Sequence, residues 1–161
     1  MNDVLIDKTY YKKSSNTIVK NLVMLKKALI FCYNFYELKT DQHITLSFRD
    51  IGNSYGQFGW VNSYSNNLQI SISPFYTKYL DGGELRQILF HEFTHFIQYL
   101  EGRLSLTNLP PYYDKNGFNI KLYKECPFEI EAREMEKILE YSFNKYWNNY
   151  KNKVNVNIEV K

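Results

Sequence analysis

Two histidines four residues apart, with a glutamate directly after the first, are the residues in this chain best suited to chemistry. They are His91, Glu92 and His95, in the segment HEFTH. On a helix, residues four apart lie on the same face, so both imidazoles can bind one ion. Zinc binds neutral imidazole nitrogen, and a neighbouring carboxylate can take a proton from water that the metal activates. The spacing therefore predicts a zinc centre with His91 and His95 as ligands and Glu92 as general base.

The helical phase of this segment strengthens the prediction, because it sets Glu92 among apolar residues. Only three histidines occur in the chain, and two of them have this spacing. At about 100° per residue, Glu92 falls inside the apolar stripe of the helix, and both histidines fall along its edge. The stripe residues are Leu85, Ile88, Leu89, Phe93, Phe96 and Leu100. A carboxylate there is costly without a metal, a proton or a polar partner. The plainer alternative is a pair of core histidines and a buried glutamate with ordinary partners.

A catalytic zinc site needs a third protein ligand and one open position. His43 is one candidate, although a histidine at a strand end or on the surface is the simpler interpretation. The acidic run that opens the next long helix supplies the others, Glu129, Glu131 and Glu134. Each of these glutamates is otherwise typical of the solvated side of a helix.

The pair of segments HEFTH and FEIEAR resembles the gluzincin metallopeptidases, in which a glutamate from a second helix completes the zinc site. The ligand glutamate of that superfamily is often followed by a small residue in an E-x-x-A pattern, which Glu129 and Ala132 match. The resemblance covers about residues 55–142 and is nearest to minimal single-domain, phage-encoded or bacterial metallopeptidases. It implies one zinc ion per chain held by His91, His95 and Glu129, and a peptide or protein substrate. The chain departs from larger gluzincins because no second lobe is recognisable.

The resemblance also implies features around the metal. The strand predicted at residues 68–73 would border the site as a sheet edge and pair with the substrate backbone, unless it is an ordinary sheet strand. Tyr112, Tyr113 and Tyr123 are candidates for the donor that stabilises the oxyanion. Arg133, four residues after Glu129, is a candidate for orienting that ligand, although an exposed arginine is the plainer interpretation.

The elements that must position these groups can be predicted from periodicity and turn residues. Helices are predicted at residues 17–37, 84–100 and 128–147, with Gly102 closing the second and Pro127 opening the third. Strands are predicted at residues 43–48, 58–61, 68–73 and 154–160. Residues 1–16 lack a period and are predicted to be a loose lead-in. The order predicts one α+β domain over residues 1–161. The resemblance implies that it is a small zincin-like domain with an N-terminal helix, a short mixed or antiparallel sheet, an active-site helix and a C-terminal glutamate helix.

Composition limits the classes of partner. Twenty basic against seventeen acidic residues give a formal charge of +3, too small to indicate nucleic-acid binding. The two cysteines, Cys32 and Cys126, lack metal-type or redox-type spacing, although Cys126 precedes the acidic run closely enough that a thiol near the metal is an alternative to a free cysteine. Neither a signal peptide nor a membrane-spanning run is recognisable. We therefore expect a cytoplasmic protein without nucleic-acid or membrane partners.

Two other functions stay open beside a zinc endopeptidase. One is a non-catalytic, metal-stabilised protein-binding module on a degenerate peptidase scaffold, which the small size and the missing lobe favour. The other is a latent enzyme, in which the alternating tail at residues 154–160 pairs along the cleft and blocks it.

Overall fold

The computed structural model describes residues 2–7, 16–38, 44–48, 51–60, 68–73, 81–104, 126–150 and 156–160. Within these ranges, three helices and five strands follow one another. Their order is β1 (Asn2–Asp7), α1 (Asn16–Phe35), β2 (Ile44–Phe48), β3 (Gly56–Trp60), β4 (Leu68–Ile72), α2 (Gly82–Leu100), α3 (Pro127–Tyr150) and β5 (Val156–Val160). This confirms the predicted α+β class, with an N-terminal helix, a sheet, the HEFTH helix and a late acidic helix. None of the described helices combines the length and apolar character needed to cross a membrane.

The strands form one mixed sheet in the order β3-β4-β2-β1-β5. β1 pairs in parallel with both β2 and β5, and β2 pairs in parallel with β4. β3 alone among the described strands runs antiparallel, against β4. The register aligns Ile44 with Leu68 and Phe58 with Ile70, so alternate apolar side chains of neighbouring strands lie on the same face.

The hydrophobic core lies between that face of the sheet and the three helices. Every second residue of β2 and β4 is apolar and buried, and α1, α2 and α3 supply aromatic and aliphatic side chains to the same cluster. The largest of these fully buried side chains are Leu25, Leu29, Phe31, Phe90, Phe93 and Phe96. Phe93 and Phe96 meet edge to face with ring centroids 5.3 Å apart, which anchors α2 at the centre of the layer. More than half of the residues of the helix that carries HEFTH are buried.

Helix α2 begins at Gly82, two residues before the predicted start, because Asp81 caps it. The Asp81 carboxylate accepts a hydrogen bond from the amide of Glu84, and the Glu84 carboxylate accepts one from the amide of Asp81, both at 2.9 Å. This capping box satisfies two amides and offsets the low helix propensity of the glycines that follow Asp81. At the other end Gly102, with φ of +72°, closes the helix as predicted.

Residues 2–7 form strand β1, so the expectation of a loose lead-in over residues 1–16 is wrong for this part. Residues 8–15 lie outside the described part of the chain. β1 contains the adjacent apolar residues Val4, Leu5 and Ile6, without the alternation that marks a half-buried strand. Adjacent apolar residues are typical of parallel strands, and β1 has a parallel neighbour on each side. Both neighbouring strands come from distant parts of the chain, so the residues around β1 carry no sequence signal of this pairing.

Strand β3, and not β4, is the sheet edge beside α2. β4 lies between β3 and β2, so the expectation that residues 68–73 border the site as an edge strand is wrong. The cause is that β3 pairs antiparallel along the outer side of β4. Among the described strands, β3 has a neighbour on one side only, and it packs against α2.

The tail forms strand β5, as its alternation predicted. β5 pairs with β1 at the edge of the sheet opposite β3. Four strand spacings, about 19 Å, separate these two edges. The latent arrangement, in which the tail pairs along the cleft, is therefore wrong, because these residues already bind β1.

Leu100, in the predicted apolar stripe of α2, ends that helix and is 36% exposed instead of buried. In α3, the apolar residues Ile138 and Tyr146 are also exposed, while Leu139 and Trp147, their neighbours in sequence, pack on the core. Adjacent helix positions point about 100° apart, so only one of each pair can face the core.

Deletion of residues 156–161 tests the position of the tail. Removing β5 abolishes its pairing with β1, and we expect the free energy of unfolding in urea to fall by about 2 kcal/mol or more, since several hydrogen bonds of roughly 0.5–1.5 kcal/mol are lost. Deletion of Lys161 alone is the control and should leave the urea midpoint unchanged. A shortened chain of unchanged stability and raised peptide hydrolysis would instead support a tail that covers the cleft.

Candidate metal centre

Helices α2 and α3 bring the two predicted histidines and one candidate glutamate to a single point. His95 Nε2 lies 3.0 Å from Glu129 Oε1, and His91 Nε2 lies 3.1 Å from Glu129 Oε2. One donor atom from each residue can be chosen so that all lie within 4.8 Å of one another. In the described part of the chain, no other His, Cys, Asp and Glu side chains are grouped closely enough to hold a metal ion. Glu129, rather than Glu131 or Glu134, therefore joins the histidines.

Glu129 reaches the histidines because it lies in the first turn of α3. The helix begins at Pro127, whose fixed φ and missing amide proton suit the first helical position. The carbonyl of Cys126 accepts hydrogen bonds from the amides of Glu129 and Ile130, both at 3.0 Å. α3 packs on α2, and Ala132, close to one turn after Glu129, is fully buried. A small side chain at that place suits close packing of the helices.

Both histidines are held through their other ring nitrogen, which sets how they face Glu129. His95 Nδ1 lies 2.8 Å from Gln98 Oε1, and His91 Nδ1 lies 3.3 Å from Glu136 Oε2. An oxygen acceptor beside Nδ1 favours the tautomer that carries its proton there. In a neutral ring, Nε2 is then a lone pair that faces the carboxylate of Glu129. Lone pairs and a carboxylate repel each other unless a cation lies between them, so this group of atoms needs a proton or a metal ion.

The surrounding carboxylates favour a cation strongly. Burial acts to lower the pKa of His91, but hydrogen bonds to Glu129 and Glu136 and the charge of Glu92 raise it to about 10. Burial also acts to lower the pKa of His95, and the hydrogen bond to Glu129 and the charge of Glu92 again raise it. Metal binding to histidine displaces such protons, so a divalent ion would compete for the same place.

The donor set fits zinc. Two imidazoles and one carboxylate are the protein ligands of a well-represented class of catalytic zinc sites, in which a fourth position stays open. Zinc bonds of about 2.0–2.1 Å at tetrahedral angles separate neighbouring donors by roughly 3.3 Å. The distances of 3.0 and 3.1 Å from Glu129 oxygens to the Nε2 atoms of His95 and His91 are close to that value. Small side-chain adjustments would therefore accommodate the ion.

Glu92 lies on the buried side of α2, beside the two histidines. It is 7% exposed, which confirms the prediction from helical phase that it lies inside the apolar stripe. Its carboxylate accepts a hydrogen bond from the backbone amide of Phe58 in β3. Burial raises the pKa of Glu92 above its ordinary value, while the charges of His95 and His91 act to lower it. A buried carboxylate with a raised pKa in a cleft has the properties of a residue that holds and releases a proton.

The close approach of β3 to Glu92 depends on Gly56. A β-carbon at this position would lie 2.8 Å from Ile88 Cγ2 and 2.9 Å from both Cγ and Oε1 of Glu92. These distances are shorter than contacts between packed side chains allow. The missing side chain of Gly56 therefore lets the strand backbone lie against the carboxylate.

An open cleft of about 530 Å³ leads to these residues. β3 and the residues before it form one wall, and α2 and α3 form the other. Its described lining contains four glutamates, Glu84, Glu92, Glu129 and Glu136, and one basic residue, His91. The cleft therefore attracts cations.

The remaining candidates lie elsewhere or are not described. Glu131 forms a salt bridge with Arg103, whose hydrogen bond lowers the pKa of Glu131, and Glu134 is exposed. Cys126 is a buried free cysteine outside the ligand group, which supports the plainer interpretation of its role. Arg133 is half-buried, and its orienting role stays a prediction. The residues outside the described ranges are His43, Tyr112, Tyr113 and Tyr123.

Two residues of the site, Gln98 and Glu136, were not predicted. Gln98 lies three residues after His95 and Glu136 lies seven residues after Glu129, so each shares a helix face with a predicted ligand. That spacing was a usable signal for both. Their contacts with the histidines depend on how α2 and α3 pack.

Comparison with known protein families, with curated proteins and with solved structures finds no match. The geometry of the site therefore carries the functional interpretation.

Substitution of Gly56 by alanine tests the contact between β3 and Glu92. The added methyl group must displace Glu92 or Ile88, and we expect the free energy of unfolding to fall by about 1–3 kcal/mol. Gly59→Ala is the matched control, because a β-carbon at Gly59 meets nothing within 4 Å. Urea unfolding of both variants measures the difference, and equal stability of the two would show that the close approach is absent in solution.

Proposed function

We propose that this protein is a zinc-dependent metallopeptidase, and that His91, His95 and Glu129 are its metal ligands. The observation that carries the proposal is the meeting of two histidine Nε2 atoms with the Glu129 carboxylate, beside the buried Glu92 and at the end of an open cleft. Three protein donors and an open fourth position are the arrangement that catalytic zinc requires. The resemblance to gluzincins remains part of this proposal.

Each residue has a definite role in the proposed reaction. When bound, zinc would supply a positive centre that polarises a carbonyl group and acidifies water. His91 and His95 present neutral Nε2 atoms, because their Nδ1 protons face Glu136 and Gln98. Glu129 supplies the negative charge that holds a divalent ion in place.

Glu92 is the proposed general base. Its carboxylate is buried next to both ligands, and the amide of Phe58 fixes its direction. Because burial raises its pKa, it can accept a proton from water and pass it to the amine that leaves when the peptide bond breaks. Gly56 leaves room for this carboxylate, because a β-carbon at position 56 would collide with Glu92.

Peptides or proteins are the proposed substrates. β3 is an edge strand of the described sheet and forms one wall of the cleft. An extended peptide can add to such an edge through main-chain hydrogen bonds, which places its backbone beside the metal ligands. The glutamates of the lining favour peptides with basic residues near the cleaved bond.

Zinc content tests the ligand set. Purified protein should hold about one zinc ion per chain, measured by elemental analysis after removal of loosely bound metal. Substitution of a residue that only orients a ligand typically weakens zinc binding by roughly 10–100-fold. Glu129→Gln should weaken it by more, because an amide is a poor zinc ligand. Glu134→Gln changes an exposed carboxylate of the same helix and should retain full zinc content. Equal zinc content in the two variants would exclude Glu129 as the third ligand.

Glu92→Gln separates catalysis from metal binding. The variant should keep its zinc and lose about 10²–10⁴-fold in the rate of peptide cleavage, because the amide cannot accept the proton. A fluorogenic peptide library rich in lysine and arginine gives the rate, and elemental analysis gives the zinc content. If the wild-type chain binds zinc but cleaves no peptide, the protein is a metal-stabilised binding module instead. If the variant cleaves as fast as the wild type, Glu92 is not the base.

A further inference from the structure

A buried amide connects the second histidine to the neighbouring helix. Gln98 is fully buried, and its Oε1 lies 2.8 Å from His95 Nδ1. Its Nε2 donates to the carbonyl of Phe128 and to Glu131 Oε2, both at 3.0 Å. Both acceptors belong to the first five residues of α3, which also include Glu129. Gln98 therefore touches one proposed ligand and the helix turn that supplies another.

The two acceptors fix the orientation of the Gln98 amide. A carbonyl and a carboxylate both require a donor, so the nitrogen of the amide must face α3. The oxygen then has to face His95, which must carry its proton on Nδ1. Nε2 of His95 is thereby left free to bind a metal. The contacts on the far side of the amide thus decide which nitrogen of His95 can act as ligand.

A charged pair holds Glu131 at the end of this chain of contacts. Arg103 Nη1 and Nη2 lie 2.7 and 2.9 Å from Glu131 Oε2 and Oε1, a bidentate arrangement. The amide of Arg103 donates to the carbonyl of Gln98 at 2.9 Å, across the turn that Gly102 makes at the end of α2. The helix ending therefore brings Arg103 to the carboxylate to which Gln98 donates.

We propose that Gln98 is a positioning residue, which sets the tautomer and direction of His95 and, through Glu131 and Arg103, joins the end of α2 to the turn that holds Glu129. This role rests on the proposed metal site. In it, the contacts of Gln98 help to determine how tightly that site binds the metal. The contact on His91 is weaker, because Glu136 is 3.3 Å away and its side chain is 27% exposed. Loss of Gln98 should therefore lower metal affinity more than loss of Glu136.

An amide suits this place better than a carboxylate. Gln98 accepts from His95 and donates to Glu131 at the same time, which a carboxylate cannot do. Gln98→Met keeps the length of the side chain but removes both functions. The double variant Gln98→Glu/Glu131→Gln moves the amide to the other helix, so that an acceptor again faces His95 and a donor again lies between the two side chains. The carbonyl of Phe128 loses its donor both in this variant and in Gln98→Glu alone, so the comparison of the two isolates the contact with residue 131.

Zinc affinity, measured by competition with a chromophoric chelator, tests the proposal. Gln98→Met should bind zinc about 10–100-fold more weakly than the wild type. Gln69→Met removes another buried glutamine amide, which donates to the Ser71 hydroxyl in β4, and should bind within about threefold of the wild type. Gln98→Glu alone, which sets two carboxylates against each other, should bind more weakly than the double variant, and the double variant should recover part of the affinity. Glu136→Gln should lose less than Gln98→Met.

The absorption spectrum of the cobalt-loaded protein distinguishes positioning from a general loss of stability. Gln98→Met should change the ligand-field bands, because His95 is no longer held, whereas a purely structural role would leave the bands of the loaded site unchanged. If Gln98→Met does not fold, the double variant decides, and a zinc affinity no higher than that of Gln98→Glu alone overturns the proposal. If the wild-type protein binds zinc and Gln98→Met shows the same zinc affinity and the same absorption bands, the positioning role of Gln98 is overturned but the proposed metal site is not. Wild-type protein that binds no zinc refutes the proposed function itself.

Discussion

The repulsion among two imidazole lone pairs and a carboxylate is the physical constraint around which the site is built. His91 and His95 face Glu129 through Nε2 because their Nδ1 atoms are already engaged. Atoms of this kind are stable together only around a cation, and burial makes the requirement stronger because the interior screens charge poorly. The packing of α2 against α3 brings these groups to one point. The electrostatic repulsion that this packing creates is offset when a cation is bound.

The rest of the described structure holds this point from three sides. The aromatic contacts of α2 keep its apolar side in the core, so the histidines lie at the margin where a cleft can reach them. β3 closes a second side and donates the Phe58 amide to Glu92, which only a glycine at position 56 permits. On the third side, Gln98 ties the end of α2 to the start of α3. Rigid elements rather than loops therefore position each group.

Much of the helical structure and four of the five described strands could be predicted from the sequence, because their signals are local. The stripe around Phe93 repeats at helical spacing, and the alternation at residues 68–73 marks β4 within one residue. The first strand was missed because its apolar residues Val4, Leu5 and Ile6 are adjacent instead of alternating. Whether residues 68–73 form an edge strand or an ordinary sheet strand was left open, and β3 takes the edge. Strand order depends on which strands pair, and alternation within one strand carries no information about its neighbours.

The sequence by itself determined the local part of the site. Spacing along one helix puts His91 and His95 on one face and Glu92 in the apolar stripe, because helix geometry is the same wherever the helix lies. The E-x-x-A resemblance favoured Glu129 among the candidate carboxylates, but only the tertiary structure places Glu129 against the histidines and Glu131 against Arg103, since that placement depends on how α3 is set against α2. It also decided that Gln98 would face His95. These are contacts between elements far apart in the chain, and their geometry exists only when α3 packs on α2.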